Sequence, residues 1–404
     1  MYLTKCAVCA TELGLTLGKK CGRCSTRYCG QACQEQHWKD GGHDKLCKKI
    51  KKAGGAEQYN ANEKYAEAVA VAAEACADDT KGQTCYICME AVHSRTREGL
   101  VRGCACGDRD GVASGRTGIA HVSCLAEQAK ILVAEAEENN LEYKVKSRRW
   151  ERWHTCSLCE QEYHGVVKCA LGWACWKTYL GRPEMNETRG MAMNLLGRGL
   201  FAAEHHADAL SVSEAELSWL RRRGASVNDI LIVQSNIANT YAYLGRHEHA
   251  LQLKRDVYSG RLRLNGEKHE DTLLEANNYS TALTRLDRFE EARSLLRKII
   301  PIARRVLGES SDLTIRMRAN YAIALYRNDS ATLDDLREAV TTIEDTERIA
   351  RRVFGGAHPI VSNIEACLRD GRLALRRLRL RETVRGDVSA LRDLMAAMPP
   401  PGSA

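Results

Sequence analysis

The sequence predicts a multi-domain fold, with two small zinc-stabilised α+β modules followed by an all-α array of helical repeats. Two observations predict this fold. Fourteen of the 18 cysteines and two histidines fall into two consecutive sets of eight zinc-ligand types. An asparagine then recurs every 42 residues through the second half of the chain. The length of 404 residues leaves room for roughly two to four domains of ~100–200 residues each.

Composition limits the compartment and the class of partner. The net charge of +8 is modest for this length, so it permits acidic partners but does not require a nucleic acid. The longest apolar runs are far shorter than the ~20 residues that cross a bilayer, and the N-terminus does not resemble a secretory signal. We therefore expect a soluble, cytoplasmic or nuclear protein with no membrane partner, whose cysteines bind metal instead of forming disulfides.

Residues 1–50 carry the first ligand set and few apolar residues. The set is Cys6, Cys9, Cys21, Cys24, Cys29, Cys33, His43 and Cys47. Tetrahedral zinc takes four thiolate or imidazole ligands at about 2.0–2.3 Å, and a Cys-x2-Cys pair supplies half a site from one tight turn. Because the segment has so little apolar sequence, zinc binding is expected to supply much of its folding free energy.

Residues 51–80 are predicted to form a helical connector between the two ligand sets. The run 57–77 is rich in Ala, Glu and Lys, which are good helix formers. Cys76 lies in this segment without a cysteine partner, so we expect it to be a small packed side chain.

Residues 81–165 carry the second ligand set. The set is Cys85, Cys88, Cys104, Cys106, His121, Cys124, Cys156 and Cys159. Between Cys124 and Cys156 the sequence predicts a helix over 125–142, followed by a basic, aromatic stretch over 143–153. We expect this stretch to be a short strand that packs a tryptophan against the zinc core; contact with a nucleic acid is the alternative.

Residues 166–368 are predicted to form helical repeats. The recurring residues are Asn194, Asn236, Asn278 and Asn320. Each repeat is expected to be a helical hairpin that buries its apolar face against its neighbours. Two roles stay open for the asparagines: a bond to backbone between helices, or a place in a binding groove. Residues 369–404 are predicted to be a basic helix and a disordered Pro-rich tail.

The first ligand set resembles a MYND zinc finger. The resemblance rests on Tyr28-Cys29, Cys33-Gln34, Trp38 and the final His43-x3-Cys47. It implies that one zinc ion is held by Cys6, Cys9, Cys29 and Cys33 and the other by Cys21, Cys24, His43 and Cys47. His37 lies in the spacer that precedes His43 and is an alternative ligand. The family implies a non-catalytic module that binds proteins, often through proline-containing peptides.

The second ligand set looks like a RING finger of the RING-CH variant, with four cysteines, one histidine and three cysteines in order. The resemblance implies one zinc site at Cys85, Cys88, His121 and Cys124 and another at Cys104, Cys106, Cys156 and Cys159. The chain would then hold four structural zinc ions. RING ligases bind a ubiquitin-charged conjugating enzyme, and the positions implied for that contact are Ile87, Leu125 and Leu158. Gln128 departs from the pattern, since a tryptophan is often found there.

The repeats resemble tetratricopeptide repeats of the 42-residue kind found in kinesin light chains. The segments 266–269 and 306–309 resemble the linkers between repeats of that family. The resemblance implies an array that binds peptides.

Three functions are compatible with these features. The first is a soluble RING-type E3 ubiquitin ligase that recruits substrate through its repeats or its MYND finger. The second is a non-catalytic adaptor scaffold with avidity from several modules. The third is a nucleic-acid factor that uses residues 144–153 or the C-terminal arginines. The sequence offers no catalytic residue and leaves enzyme status open; proteins or peptides are the expected partners, including a conjugating enzyme under the first function.

Overall fold

The computed structural model describes residues 5–11, 13, 17–106 and 118–396. Within these ranges the chain up to residue 253 forms one compact unit, and the chain from residue 254 forms a second. The described part contains fifteen α-helices and four strands of two residues each. The predicted fold class, zinc-binding modules with few strands followed by a helical array, is confirmed.

The N-terminal module is built from one short hairpin and two helices. Strands β1 (Lys19–Lys20) and β2 (Arg27–Tyr28) pair antiparallel, and helices α1 (Gln31–Lys39) and α2 (His43–Lys52) follow. Gly42 adopts φ +67° immediately before α2, a left-handed conformation that glycine allows and that sets the direction of the second helix. Apart from cysteines, the buried apolar side chains of this module's core are few: Leu13, Tyr28, Ile50 and Ala56.

The segment between the two ligand sets forms helix α3 (Ala56–Ala75). It is not a free linker, because Ala61 and Ala72 are fully buried. The Gln58 side-chain amide donates to the carbonyl of Lys177 at 3.2 Å, and the Lys177 Nζ lies 3.7 Å from the centre of the Tyr65 ring. The helix is therefore part of the same compact unit as the modules that it joins.

The second module pairs strand β3 (Val101–Arg102) antiparallel with β4 (Ile119–Ala120). Helix α4 (Val122–Glu138) follows at once. The prediction of a strand over 143–153 is wrong: this stretch forms helix α5 (Tyr143–Trp150) and a short 3-10 helix (Glu151–Trp153). The stretch packs along α4, where Arg149 bonds Glu135 at 2.7 Å, and its completely buried Trp153 joins a helical core rather than the zinc ligands.

Helices α6 (Gly165–Tyr179) and α7 (Glu187–Ala202) cross in backbone contact. A Cβ at Gly199 would lie 2.8 Å from the carbonyl oxygen of Lys168, and one at Gly172 would lie 3.1 Å from that of Leu195. Neither backbone atom can move aside as a flexible side chain could. The crossing therefore requires glycine on both helices.

The helical array continues with eight further helices among the described residues. Its remaining helices are α8 (His206–Arg223), α9 (Val227–Tyr243), α10 (His247–Asn265), α11 (Glu270–Arg285), α12 (Phe289–Val306), α13 (Asp312–Tyr326), α14 (Leu333–Phe354) and α15 (Pro359–Ala396). The predicted basic helix at 369–404 is not a separate element, because α15 begins ten residues earlier and runs through it without a break. The predicted disordered tail at Pro399–Gly402 lies outside the described residues.

Two of the recurring asparagines, Asn194 and Asn320, bond side chains on a neighbouring helix. Asn320 Nδ2 donates to Asn277 Oδ1 at 2.9 Å and to Thr281 Oγ1 at 3.0 Å, which ties α13 to α11. Asn194 Nδ2 donates to Glu216 Oε2 at 3.3 Å, from α7 to α8. These bonds differ from the backbone bonds considered from the sequence, and they place amides at the contacts between helices of the array.

The second compact unit has its own core, which includes the fully buried Leu296, Ile315 and Met317. Ion pairs at its surface include Arg293 with Asp335 at 2.8 Å. Among the helices that the structure describes, none combines the length and the apolar character needed to cross a bilayer.

Candidate metal centres

The structure brings the sixteen predicted ligands into four groups of four. Within each group the ligand atoms all lie within 4.8 Å of one another. The groups are Cys6, Cys9, Cys29 and Cys33; Cys21, Cys24, His43 and Cys47; Cys85, Cys88, His121 and Cys124; and Cys104, Cys106, Cys156 and Cys159. Each group joins segments that are distant in the sequence, and the groups alternate along the chain within each module.

In the first group a tight turn carries Cys6 and Cys9, and helix α1 carries Cys33. The Sγ atoms of Cys9 and Cys29 are 3.5 Å apart, and those of Cys29 and Cys33 are 3.4 Å apart. Tetrahedral ligands at about 2.3 Å from zinc lie roughly 3.8 Å from each other, whereas a disulfide bond is about 2.05 Å long. The Thr11 hydroxyl lies 3.1 Å from Cys9 Sγ and lowers the pKa of Cys9 to about 6, which favours the thiolate that a metal needs.

All four residues of the second group are buried. His43 and Cys47 lie one turn apart on α2, so they face the same side of the helix. The Sγ of Cys21 lies 3.9 Å from that of Cys47, and Cys24 Sγ lies 3.4 Å from His43 Nε2. His37 is not in the group, and its Nδ1 lies 3.0 Å from the Tyr28 hydroxyl. The alternative in which His37 replaces a ligand therefore finds no support in the geometry.

The third group lies where strand β4 meets helix α4. His121 precedes α4 directly and Cys124 lies in its first turn. The Nδ1 of His121 lies 3.3 Å from Cys88 Sγ and 3.7 Å from Cys124 Sγ. Nδ1 is thus the imidazole atom that faces the cluster.

The fourth group lies against Gly118. The Sγ atoms of Cys106 and Cys156 are 3.6 Å apart. A Cβ at Gly118 would lie 2.6 Å from Cys104 Sγ and 3.2 Å from Cys156 Sγ. Only glycine fits at this distance from the sulfurs, so the backbone here closes directly over the cluster.

All four Cys-x2-Cys turns share a backbone feature that the sequence analysis missed. The residue after the second cysteine has a positive φ in each: Ala10 (56°), Ser25 (62°), Met89 (63°) and Glu160 (59°). The same turns aim backbone N–H groups at sulfur, as from Ile87 to Cys85 and from Leu158 to Cys156, both at 3.4 Å. Such bonds stabilise thiolates. The Cys-x2-Cys spacing could have predicted this backbone conformation. Two cysteines separated by two residues can bind the same ion only if the chain turns sharply after the second cysteine.

The donor set fits structural zinc. Each group offers four thiolate or imidazole ligands, and a tetrahedral ion with four protein ligands has no position left for a reacting water. None of the eighteen cysteines forms a disulfide. Cys76, Cys169, Cys175 and Cys367 lie outside the four groups, and burial raises the pKa of Cys169 to about 12, which suits packing better than ligation.

The three positions implied for a conjugating enzyme have different environments. Ile87 is half-buried in the first loop, and Leu158 is 38% exposed in the loop of the fourth group. The two loops are joined because the Tyr86 hydroxyl lies 3.0 Å from Ser157 Oγ. Leu125 is only 3% exposed and belongs to the module core. Little of its side chain is therefore available for the predicted contact with a conjugating enzyme, which stays a prediction.

Ile87 also lines a cleft of about 800 Å³ between the third group and helices α3, α4 and α6. Gln128 and Ile131 on α4 line the same cleft, and Tyr65 and Lys177 close its far side. Ile131 is 48% exposed. The cleft thus presents apolar side chains beside the third ligand group.

Two family models match the chain. The MYND finger model matches residues 6–47, and the tetratricopeptide repeat model matches residues 231–271 and 276–312. Neither match includes residues 81–165. No curated protein matches.

Solved structures resemble the chain at low identity. BtubC (BKLC) from P. vanneervenii is 15% identical, covers 70% of this chain and 95% of its own, and gives a TM-score of 0.39. A putative kinesin light chain from Podosopora anserina with nearly identical TPR-like repeats is 16% identical, covers 54% of this chain and 100% of its own, and gives a TM-score of 0.39. The MYND finger and the repeats indicate that the protein interacts with other proteins.

Proposed function

We propose that this protein is a non-catalytic scaffold that holds partner proteins through its MYND finger and its helical array. The observation that carries the proposal is that each of the four groups already contains four protein ligands. We assign one zinc ion to each group, and with four protein ligands each ion acts only in folding. The module limits near residues 50, 80, 165 and 368 are part of the same proposal.

The compact unit up to residue 253 supports a scaffold of fixed geometry. It contains both zinc-binding modules, helix α3 and the first helices of the array. Helix α3 is anchored to α6 through Gln58 and Lys177. Two binding surfaces held at a fixed separation raise each other's effective concentration, which lets weak contacts act together.

The MYND finger offers one exposed aromatic surface for a peptide. Trp38 is 47% exposed on α1, and its ring lies 5.8 Å from that of His43 at an interplanar angle of 61°. Since His43 belongs to the second ligand group, a bound zinc ion would fix the position of the His43 ring, which contacts Trp38. Exposed aromatic rings are the surfaces on which proline-rich peptides dock.

We expect the intact protein to bind members of a panel of proline-rich peptides. The Trp38→Ala variant should bind them at least about tenfold more weakly, because it lacks an aromatic anchor. Isothermal titration measures both affinities. Gln36→Ala, at an exposed position of the same helix, is the matched control and should bind as the unchanged protein does. If no peptide binds, or if Trp38→Ala binds normally, the MYND finger does not recruit such peptides.

The second candidate function is a RING-type ubiquitin ligase. The specific observation in its favour is the cleft beside the third ligand group, where Ile87 and Ile131 present apolar surface. The hydrogen bond between Tyr86 and Ser157 joins the loop that carries Ile87 to the loop that carries Leu158. A ligase of this kind would act by holding an acceptor lysine near a thioester.

Ubiquitin-chain formation with activating enzyme and a panel of conjugating enzymes separates the two functions. The scaffold function predicts no chains with any conjugating enzyme. The ligase function predicts chains that fall at least about tenfold with Ile87→Ala, because the cleft loses an apolar anchor. Val92→Ala, at an exposed position outside the cleft, should leave the rate unchanged; chains that are insensitive to Ile87→Ala would rule out the proposed cleft.

A further inference from the structure

A pocket of about 200 Å³ lies between helices α7, α8 and α9, with α5 at its edge. We propose that it binds the cationic side chain of a lysine or arginine from a partner protein. The inference rests on the proposed scaffold function and specifies that one of its partners presents a basic side chain. Small-molecule sites have volumes of about 300–1,000 Å³, so this smaller space suits one inserted side chain.

A buried carboxylate lines the pocket. Glu216 on α8 is only 5% exposed, and the structure gives it one hydrogen bond, from Asn194 Nδ2 at 3.3 Å. An ionised carboxylate can accept about four hydrogen bonds. Glu216 therefore keeps acceptor capacity for a donor that enters the pocket, and burial of such a charge without a partner is unfavourable.

Aromatic rings form part of the wall. Trp219 is 4% exposed, and its Nε1 donates to the Glu184 carbonyl at 2.7 Å. Gly190 on α7 leaves no space for a Cβ beside this ring, so the ring cannot move toward α7. Trp150 on α5 lines the same pocket. Cations bind favourably over indole faces, and Arg223 Cζ already lies 5.1 Å from the Trp219 ring centre.

The charges around the pocket select for a cation. The charged residues that line it are Glu187, Glu216, Asp229 and Arg223. Three of these four are acidic, and Arg223 is paired with Glu187 at 3.6 Å. An anionic side chain would meet the carboxyls of Glu216 and Asp229, whereas an ammonium or guanidinium group would form ion pairs with their ionised forms.

The protonation of Glu216 makes the site respond to pH. Burial raises the pKa of Glu216 to about 8; the Asn194 hydrogen bond and the charge of Arg198 on α7 oppose this rise, and Asp229 on α9 adds to it. Glu187 on α7 and Arg223 on α8 also line the pocket. The empty pocket thus holds a neutral carboxyl at pH 7, and a bound cation would displace its proton. Affinity for a cation should rise from pH 6 to pH 8.

The test is a titration of the intact protein, labelled with ¹⁵N in its tryptophans, with blocked lysine (Nα-acetyl-lysine methylamide). Blocked norleucine matches its length without charge, and blocked glutamate reverses the charge. We expect blocked lysine to shift the indole signals of Trp150 and Trp219 saturably, and the other two compounds to leave them in place. Single Trp→Phe variants assign the signals.

The Glu216→Gln variant keeps an acceptor for Asn194 but removes the charge, so it should bind blocked lysine at least about tenfold more weakly. Glu214→Gln, at an exposed position of the same helix, should bind as the unchanged protein does. Equal shifts with norleucine, no saturable shift with lysine, or normal binding by Glu216→Gln would each overturn the inference. The scaffold function is judged by the proline-rich peptides on the same sample, so the two can fail separately.

Discussion

Native mass spectrometry of the intact protein should find four zinc ions per chain, and a chelator should remove them together with the folded state of both zinc-binding modules. The small apolar core of the N-terminal module, with Leu13, Tyr28 and Ile50 as its largest members, cannot hold the chain alone. Structural zinc contributes about 10–16 kcal/mol in small peptides. Loss of the metal therefore removes the largest stabilising term of the N-terminal module.

Hydrogen exchange shows which segments of the chain unfold when the metal is removed. After chelation, amides in residues 17–52 and 85–106 should exchange rapidly, while helices α11 to α14 of the second compact unit stay protected, because their core contains no ligand group. The Cys24→Ser variant should hold three zinc ions, and Cys367→Ser, outside the groups, should hold four. Two ions in the unchanged protein would mean that one ligand set does not bind metal.

The Glu216→Gln variant should be more stable than the unchanged protein at pH 8 and about equally stable at pH 5. The pKa of Glu216 is about 8 in the folded protein against 4.5 for the ordinary side chain. As the pH rises from about 4.5 to 8, the unfolded chain releases this proton while the folded chain retains it, so the stability falls. The free energy of unfolding falls by about 1.4 kcal/mol per pH unit over this range, which amounts to about 3 kcal/mol by pH 7.

Urea unfolding at several pH values, followed by tryptophan fluorescence, measures this difference. Glutamine removes the titration and keeps an oxygen for the Asn194 amide, so the stability advantage of the variant should grow with pH. Glu214→Gln is the control at an exposed position and should show no such growth. A variant that is less stable at pH 8, or whose advantage is the same at every pH, would mean that Glu216 is ionised in the folded protein.

The sequence was sufficient to find the sixteen cysteine and histidine residues that the structure brings into four groups, because a metal imposes local rules on the chain. A Cys-x2-Cys pair binds one ion only through a tight turn, and that turn is encoded within a few residues. The repeats were recognisable for a similar reason, since each hairpin repeats one pattern of buried and exposed side chains. Both signals are local in the sequence, and the structure brings their residues together over longer distances.

Features formed by several helices could not be predicted in this way. Residues 143–153 were expected to form a short strand that packs a tryptophan against the zinc core, yet they form helix α5 and a short 3-10 helix that contact α4. Leu125 follows a ligand and was expected to face a partner, but it is on the core side of α4. Glu216 has no sequence signal at all, because its pocket exists only where α7, α8 and α9 meet.

The backbone contact between α6 and α7 links zinc binding in the second module to the stability of the first helices of the array. Repeat arrays need their terminal hairpins covered, since the outer face of an uncovered hairpin is apolar and insoluble. Helix α6 covers α7 through Gly172 and Gly199, and the buried Trp153, three residues before the ligand Cys156, packs in the same core. A chain that has lost zinc from the second module would expose this apolar end, so loss of the metal would make the protein prone to aggregation.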